Sequence, residues 1–368
     1  MDLKHRLDAA IDAALWSRIV GCVVLVHCDG QAIYARAAGY ADREAGRAVR
    51  EDEIFRLASC TKPIVATTAL VMLDRGLLSL DDPVSKYLPF FRPKLADGST
   101  PQILIRHLLT HTSGITYDVP DGVSTGSDPG PAMTLEQNLR LLAAAPLHFV
   151  PGSAWDYGMS IDVLGGILAT INGNTSDVEG VVSKYVTGPL GMADTHFWAT
   201  DTGRLAHPHA DGKPEPIRMA DPQEVHNDED DPDKIDVFSP GRILLRDRPQ
   251  CSGSSMAGTA GDFVKFLDAL TLGKLLQPAT CNAAFANQIG ALPREKDPGQ
   301  KFGFVGAVIE DTRASGWPIE GMLHWGGIWG NNWIIEPRSR TTVVVMTNTM
   351  REGCNGPFRE EIRDAVFG

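Results

Sequence analysis

The chain has 368 residues, 43% of them hydrophobic and 22% charged, an ordinary globular balance with enough length for one large domain or two lobes. Its formal net charge of −12 argues against a nucleic-acid or anionic-membrane partner, since like charges repel. No stretch approaches the roughly 20 apolar residues of a bilayer span, and the N-terminal segment lacks a secretion-signal pattern. The six cysteines fall into no Cys-x-x-Cys or metal-type spacing, which fits reduced thiols in a cytoplasm and neither metal nor cofactor.

Residues 2 to 17 read as a helix, with Leu3, Leu7, Ala10, Ile11, Ala14 and Leu15 on one side. Ile19 to His27 and Ala32 to Tyr40 follow as two strands around the turn Cys28-Asp29-Gly30-Gln31. Next comes Phe55-Arg56-Leu57-Ala58-Ser59-Cys60-Thr61-Lys62-Pro63, a strand-like approach that runs into a helix. Val65, Ala69, Met72 and Leu73 give that helix one buried stripe, Pro63 suits its first turn, and Gly76 ends it. Ser59 and Lys62, three apart, then share a face, placing a nucleophile beside a base. The helix end favours negative charge near Ser59, and with burial it is expected to push Lys62 toward its neutral form. Taken alone, Ser59 could equally be a helix cap and Lys62 a solvated residue.

A helix over Gln102 to Leu109 leads to a turn at Ser113-Gly114, and the chain to about residue 240 reads as helical segments between long loops. Tyr117 to Pro131 and Asp201 to Pro240 hold most of the Gly, Pro and Asp punctuation. The acidic run Asn227 to Asp233 reads as a solvated loop, and His207 and His209 are left unassigned. Within this stretch Trp155-Asp156-Tyr157-Gly158-Met159-Ser160 enters a helix carrying Ile161, Leu164, Ile167, Leu168 and Ile171 on one face. Tyr157 in that entry loop is a candidate proton carrier, or else a ring packed under the loop.

Strands return at Gly303 to Glu310, Met322 to Trp325, Asn332 to Glu336 and Thr341 to Thr347, and a helix over about Pro357 to Val366 closes the chain. Short connections favour antiparallel pairing. The expected fold is α/β (α+β), an antiparallel sheet built from both chain ends and flanked by helices, with an inserted mostly helical lobe. Residues 1-80 and 242-368 would form the α/β domain and 81-241 the lobe. In Leu323-His324-Trp325-Gly326-Gly327-Ile328-Trp329 the paired glycines would let a substrate approach the backbone, where an N–H could join that of Ser59 in holding an oxyanion. A glycine bulge relieving two tryptophans is the rival reading. No Gly-x-Ser-x-Gly pentad is present; Gly253-Ser254-Ser255-Met256-Ala257 lacks the final glycine.

These three segments, with Arg106-His107-Leu108-Leu109-Thr110-His111-Thr112-Ser113-Gly114 and Pro189-Leu190-Gly191-Met192, resemble the serine β-lactamase and penicillin-binding-protein superfamily. The resemblance is strongest to the class C β-lactamase-like group that includes the family VIII carboxylesterases. It implies that Ser59 is acylated, that Lys62 and Tyr157 relay protons, and that the Ser59 and Gly327 amides form the oxyanion hole. Two departures point from β-lactam to ester. Tyr157-Gly158-Met159 lacks the asparagine of Tyr-x-Asn, and His324-Trp325-Gly326-Gly327 lacks the lysine of Lys-Thr-Gly.

The expectation is a serine carboxylesterase acting on small-molecule esters, monomeric or a small homo-oligomer. His324, Trp325, Gly326, Trp155, Met159 and Trp329 are its candidate substrate-binding residues. An amidase or D-amino-acid peptidase, a weak β-lactamase, an acyltransferase, and an idle homologue that binds acylated ligands are the alternatives.

Overall fold

The structure is a computed structural model that describes residues 2–15, 17–226 and 235–368. The acidic run over 227–233 lies outside the described residues.

The frame is one antiparallel sheet of eight strands. In chain order these are β1 (Gly21–Cys28), β2 (Gln31–Asp42), β3 (Arg47–Ala48), β4 (Gln300–Phe302), β5 (Ala307–Ile309), β6 (Leu323–Gly327), β7 (Asn331–Glu336) and β8 (Thr341–Thr347). Across the sheet the order is β4-β5-β6-β7-β8-β1-β2-β3, so the first strand pairs with the last and both chain ends build it, as the sequence leads one to expect. The β1–β2 turn has left-handed backbone at Asp29 and Gly30, φ 51° and 72°, the arrangement that matches strand twist in a two-residue hairpin. The stretch expected as one strand over Gly303 to Glu310 is interrupted. Gly303 N–H bonds Gly306 carbonyl at 2.8 Å, a turn that separates β4 from β5.

Strand alternation sorts side chains into two cores. Cys22, Val24 and Val26 pack with Leu7 and Ile11 of α1 (Leu3–Ala14) and with Phe358 and Ile362 of the closing helix Pro357–Phe367. Val23 and Leu25 face the other way, into the larger core shared with α2 (Thr61–Asp74) and α3 (Ser160–Ile171). Helix α2 is buried along nearly its whole length, so it serves as the central post under the sheet. It ends as its sequence dictates: Gly76 is left-handed at φ 68°, and Leu77 N–H returns to Met72 carbonyl at 3.0 Å.

Two expected elements are shorter. Only Ile105–Leu109 is helical in the region 102 to 109, because Ile103 carbonyl accepts from Val84 N–H at 2.9 Å and keeps the preceding residues extended. The punctuated stretch after Asp201 is not loop alone. It forms two small hairpins, His209–Ala210 with Ile217–Arg218 and Gln223–His226 with Ile235–Phe238. No helix among the described residues is long and apolar enough to cross a membrane.

Candidate active site

Ser59 stands in a tight turn, Ala58–Cys60, between the short strand Ile54–Arg56 and helix α2. Ala58 has φ 45°, left-handed backbone that costs a non-glycine residue about 1–3 kcal/mol. Its surroundings hold it there: Ala58 is fully buried against Met219, Trp329 and Met350. The strand pairs with Ala257–Thr259, and Asn331 Nδ2 of β7 donates to Arg56 carbonyl at 2.6 Å. The result is a partly exposed serine on a rigid turn.

Lys62 follows in the first turn of α2, and its Nζ lies 3.2 Å from Ser59 Oγ. The same nitrogen reaches Tyr117 Oη at 3.0 Å and Gly253 carbonyl at 2.9 Å. An ammonium has three donors, and here it meets three acceptors. Burial works against its charge, but Tyr117, Tyr157 and Asp162 outweigh burial and hold the Lys62 pKa above the usual lysine range. The expected neutral amine is therefore corrected: the resting lysine is charged.

Asp162 is the carboxylate behind this lysine and was not among the sequence candidates. Burial raises its pKa to about 6, against the pull of Lys62. One oxygen accepts from Gly253 N–H at 3.2 Å, and the other has no hydrogen-bond partner among the described residues. Gly253 is wedged between the two charges. A Cβ there would fall 2.6 Å from Asp162 Oδ2 and 3.2 Å from Lys62 Nζ. The one sequence signal for Asp162 is a lone charge in the apolar run Ser160–Ile171.

Two tyrosines complete the polar face. Tyr157 lies with its ring 4.5 Å from Lys62 Nζ and accepts a bond from Trp325 Nε1 at 3.2 Å. Tyr117, read from sequence only as loop, has its ring 5.6 Å from that of Tyr157. Gly158 permits the approach, since a Cβ there would lie 2.4 Å from Thr116 Cα. Beneath Tyr157 sits buried His111, ring to ring at 4.7 Å, its backbone also left-handed at φ 56°. Burial first, then Lys62 and Arg294, pushes the His111 pKa well down, so its ring is neutral.

Strand β6 passes directly over the serine turn. A Cβ on Gly327 would lie 2.2 Å from Leu57 carbonyl and 3.3 Å from Cys60 nitrogen, so only glycine fits. Trp325, on the same face, packs with partly buried Trp155 and with Phe302 around Arg294, whose guanidinium lies 4.6 Å from Trp155 and 5.5 Å from Trp325.

The remaining substrate-contact candidates are elsewhere. His324 points to the opposite face of β6, where it stacks on Trp317 at 4.1 Å and bonds Gln300 at 2.9 Å. The period-two alternation of a strand requires this once Trp325 faces the site. Gly326 likewise presents its Cβ position to Cys354 Sγ on the far side. Met159 is fully buried in the larger core at the start of α3. These three are corrections to the sequence reading. Trp329 packs on Phe238 at 5.5 Å and lines a cleft beside the serine turn.

Among the described residues no group of three or more His, Cys, Asp or Glu side chains could hold a metal. The arrangement brings together a serine, a charged lysine, two phenols and a close-passing strand, groups that can act as nucleophile, base and acid.

Known proteins share the sequence and fold of this chain. The family model described as Beta-lactamase matches residues 7–366. Esterase EstB of Burkholderia gladioli is 42% identical, over 99% of this chain and 95% of that protein. The solved structure of EstCE1, described as a hydrolase with promiscuous acyltransferase activity, superposes with a TM-score of 0.95 at 38% identity, covering 100% of this chain and 98% of that one. Simvastatin synthase LovD from Aspergillus terreus shares the fold at a TM-score of 0.74 and 24% identity, over 100% of this chain and 98% of that one. With its turn serine, its lysine one helical turn on and a family match along nearly its whole length, the chain belongs to the Beta-lactamase family.

Proposed function

We propose that this protein is a serine carboxylesterase that cleaves small-molecule esters through an acyl-enzyme on Ser59. The observation that carries the reading is the 3.2 Å contact between Ser59 Oγ and Lys62 Nζ at the mouth of α2, with two tyrosines around the same nitrogen. The likeness to Esterase EstB and EstCE1 supports the ester as substrate class.

Because Lys62 rests as an ammonium, the reactive enzyme is the form in which the Lys62–tyrosine cluster has lost one proton. In that form the cluster takes the Ser59 hydroxyl proton as Oγ attacks the ester carbonyl. The Ser59 and Gly327 amides receive the oxyanion, a reading supported by the close pass of β6 over the serine turn. As the bond to the alcohol breaks, Tyr157 or Lys62 returns the proton to the departing oxygen. Water then enters and gives a proton to the same cluster as its oxygen attacks the acyl carbon, and the cluster returns that proton to Ser59 Oγ as the bond to the acyl group breaks and the acid leaves. Trp155 and Trp325 wall the apolar side of this site. Six free cysteine thiols support a cytoplasmic setting.

A second reading, acyl transfer to an alcohol other than water, is favoured by the likeness to EstCE1. It uses the same acyl-enzyme and differs only in the acceptor.

Intact-mass spectrometry after fluorophosphonate treatment, beside a p-nitrophenyl ester series with and without added alcohol, tests both. One adduct on wild type and none on Ser59→Ala, with turnover abolished in that variant, is expected. Appreciable turnover by folded Ser59→Ala would sink the assignment. The rate should climb from pH 6 toward pH 9 as the cluster loses its proton; a rate that falls over that range would contradict a charged resting lysine.

A further inference from the structure

Beside the serine turn lies a cleft whose lining includes three arginines, Arg56, Arg242 and Arg248. The hydroxyl residues Ser254 and Ser255 and the indole of Trp329 also line it, and among the described residues no Asp or Glu does. It adjoins the catalytic machinery closely. Ser254 follows Gly253, whose carbonyl holds Lys62, and Trp329 packs in one cluster with Ala58, the neighbour of Ser59.

The charge state of this cleft needs an explanation. Arg56 is buried and spends its bonds on carbonyls alone: Nε and Nη2 on Pro240 at 2.9 and 2.6 Å, Nη1 on Ala206 at 2.8 Å. Arg242 is buried as well, and it reaches the carbonyls of Asp128 and Pro249 and the sulfur of Cys251. Neither forms an ion pair within 4.0 Å among the described residues. The nearby carboxylates are engaged elsewhere. Asp221 accepts from Ser239 Oγ and Gly241 N–H, and Asp128 from Ser124, Thr125 and the Gly126 amide. Arg248 touches Asp247 at 3.1 Å with one nitrogen, but its Nε is buried without a partner. Buried charge is costly unless it is paired, so two buried guanidinium groups with a third at the rim leave the cleft positively charged among the described residues. Guanidinium donors suit a carboxylate in particular.

We propose that this cleft receives the free carboxylate of an ester substrate that carries a second, unesterified carboxyl group. The proposal rests on the esterase reading and specifies its substrate class. The carboxylate can sit on the acyl side or on the alcohol side of the ester, and the cleft chemistry is the same for both.

The test compares kcat/KM within two matched pairs on the full chain. p-Nitrophenyl hydrogen adipate against its methyl-capped diester probes the acyl side; 4-carboxyphenyl butyrate against 4-carbamoylphenyl butyrate probes the alcohol side. In one pair the free carboxylate is expected to win by about tenfold or more, the size of a charge-assisted bond. That ratio should fall toward one in Arg248→Gln and in Leu245→Glu. The second variant places an acid at the rim, where Leu245 is 42% exposed and tolerates the change. Ratios at or below one in both pairs overturn the proposal, as does a preference that both variants leave unchanged. If wild type hydrolyses no ester above the Ser59→Ala background, the esterase reading itself falls, and the cleft assignment with it.

Discussion

The two sides of Ser59 are built in opposite ways. On the helix side, Lys62 reaches the serine within one turn, and its placement needs only that residues 59 to 62 be helical or nearly so. On the tyrosine side, Tyr117, Tyr157, Asp162, Gly253 and Trp325 converge on the same lysine and phenol from four separate segments. The first side is local and tolerant; the second exists only while loop, helix and sheet are packed together. The phenols around Lys62 thus depend on contacts between distant segments, while Ser59 and Lys62 are placed together by one helical turn.

That contrast can be broken most strongly at Tyr157. Tyr157→Phe removes the phenol that faces both Lys62 and Trp325, and kcat should fall roughly 10²- to 10⁴-fold with fluorophosphonate labelling of Ser59 still detectable. A silent variant would move the proton carrier to another residue.

Gly327→Ala attacks the seam between the two sides. Its Cβ would meet Leu57 carbonyl, a backbone atom that cannot swing away, so β6 must shift from the serine turn. Stability should drop by about 1–3 kcal/mol in a denaturant melt, and kcat by roughly a hundredfold as an oxyanion donor moves. If both hold at wild-type values, the close pass has no catalytic meaning.

Asp162→Asn sharpens the account of charge. Asp162 helps keep the Lys62 pKa high, so its loss lets the lysine give up its proton more readily. The rising limb of the pH–rate profile should move toward acid by roughly one to three units. A limb that stays in place, in a variant with a normal melt, would remove Asp162 from the catalytic account.

The smallest effect is expected at Tyr117. Tyr117→Phe deletes one acceptor of the lysine at 3.0 Å and should lower kcat about tenfold. A loss as large as that of Tyr157→Phe would make the two phenols equal partners in the relay.

Much of this molecule was legible from its residues, for physical reasons that differ by element. The run Thr341–Thr347 and the β1–β2 hairpin were readable because a mostly β-branched run and an Asp-Gly turn are local patterns. Helix α2 and its glycine stop were readable for the same reason. His324 was misread because three neighbouring residues, His324, Trp325 and Gly326, look alike as candidates until the pleat assigns each a face. The state of Lys62 was misread because a field from one helix end is a local quantity, whereas Tyr117, Tyr157 and Asp162 arrive from 55 residues or more along the chain.

The sequence by itself determined the pairing of Ser59 with Lys62 and the strands that both chain ends contribute, since each follows from patterns along one turn or one strand. Tertiary structure alone decided which tyrosine touches the lysine, which carboxylate lies behind it and which arginines share a cleft beside it. Those are contacts between segments far apart in the chain, and distance along a sequence does not encode proximity in space.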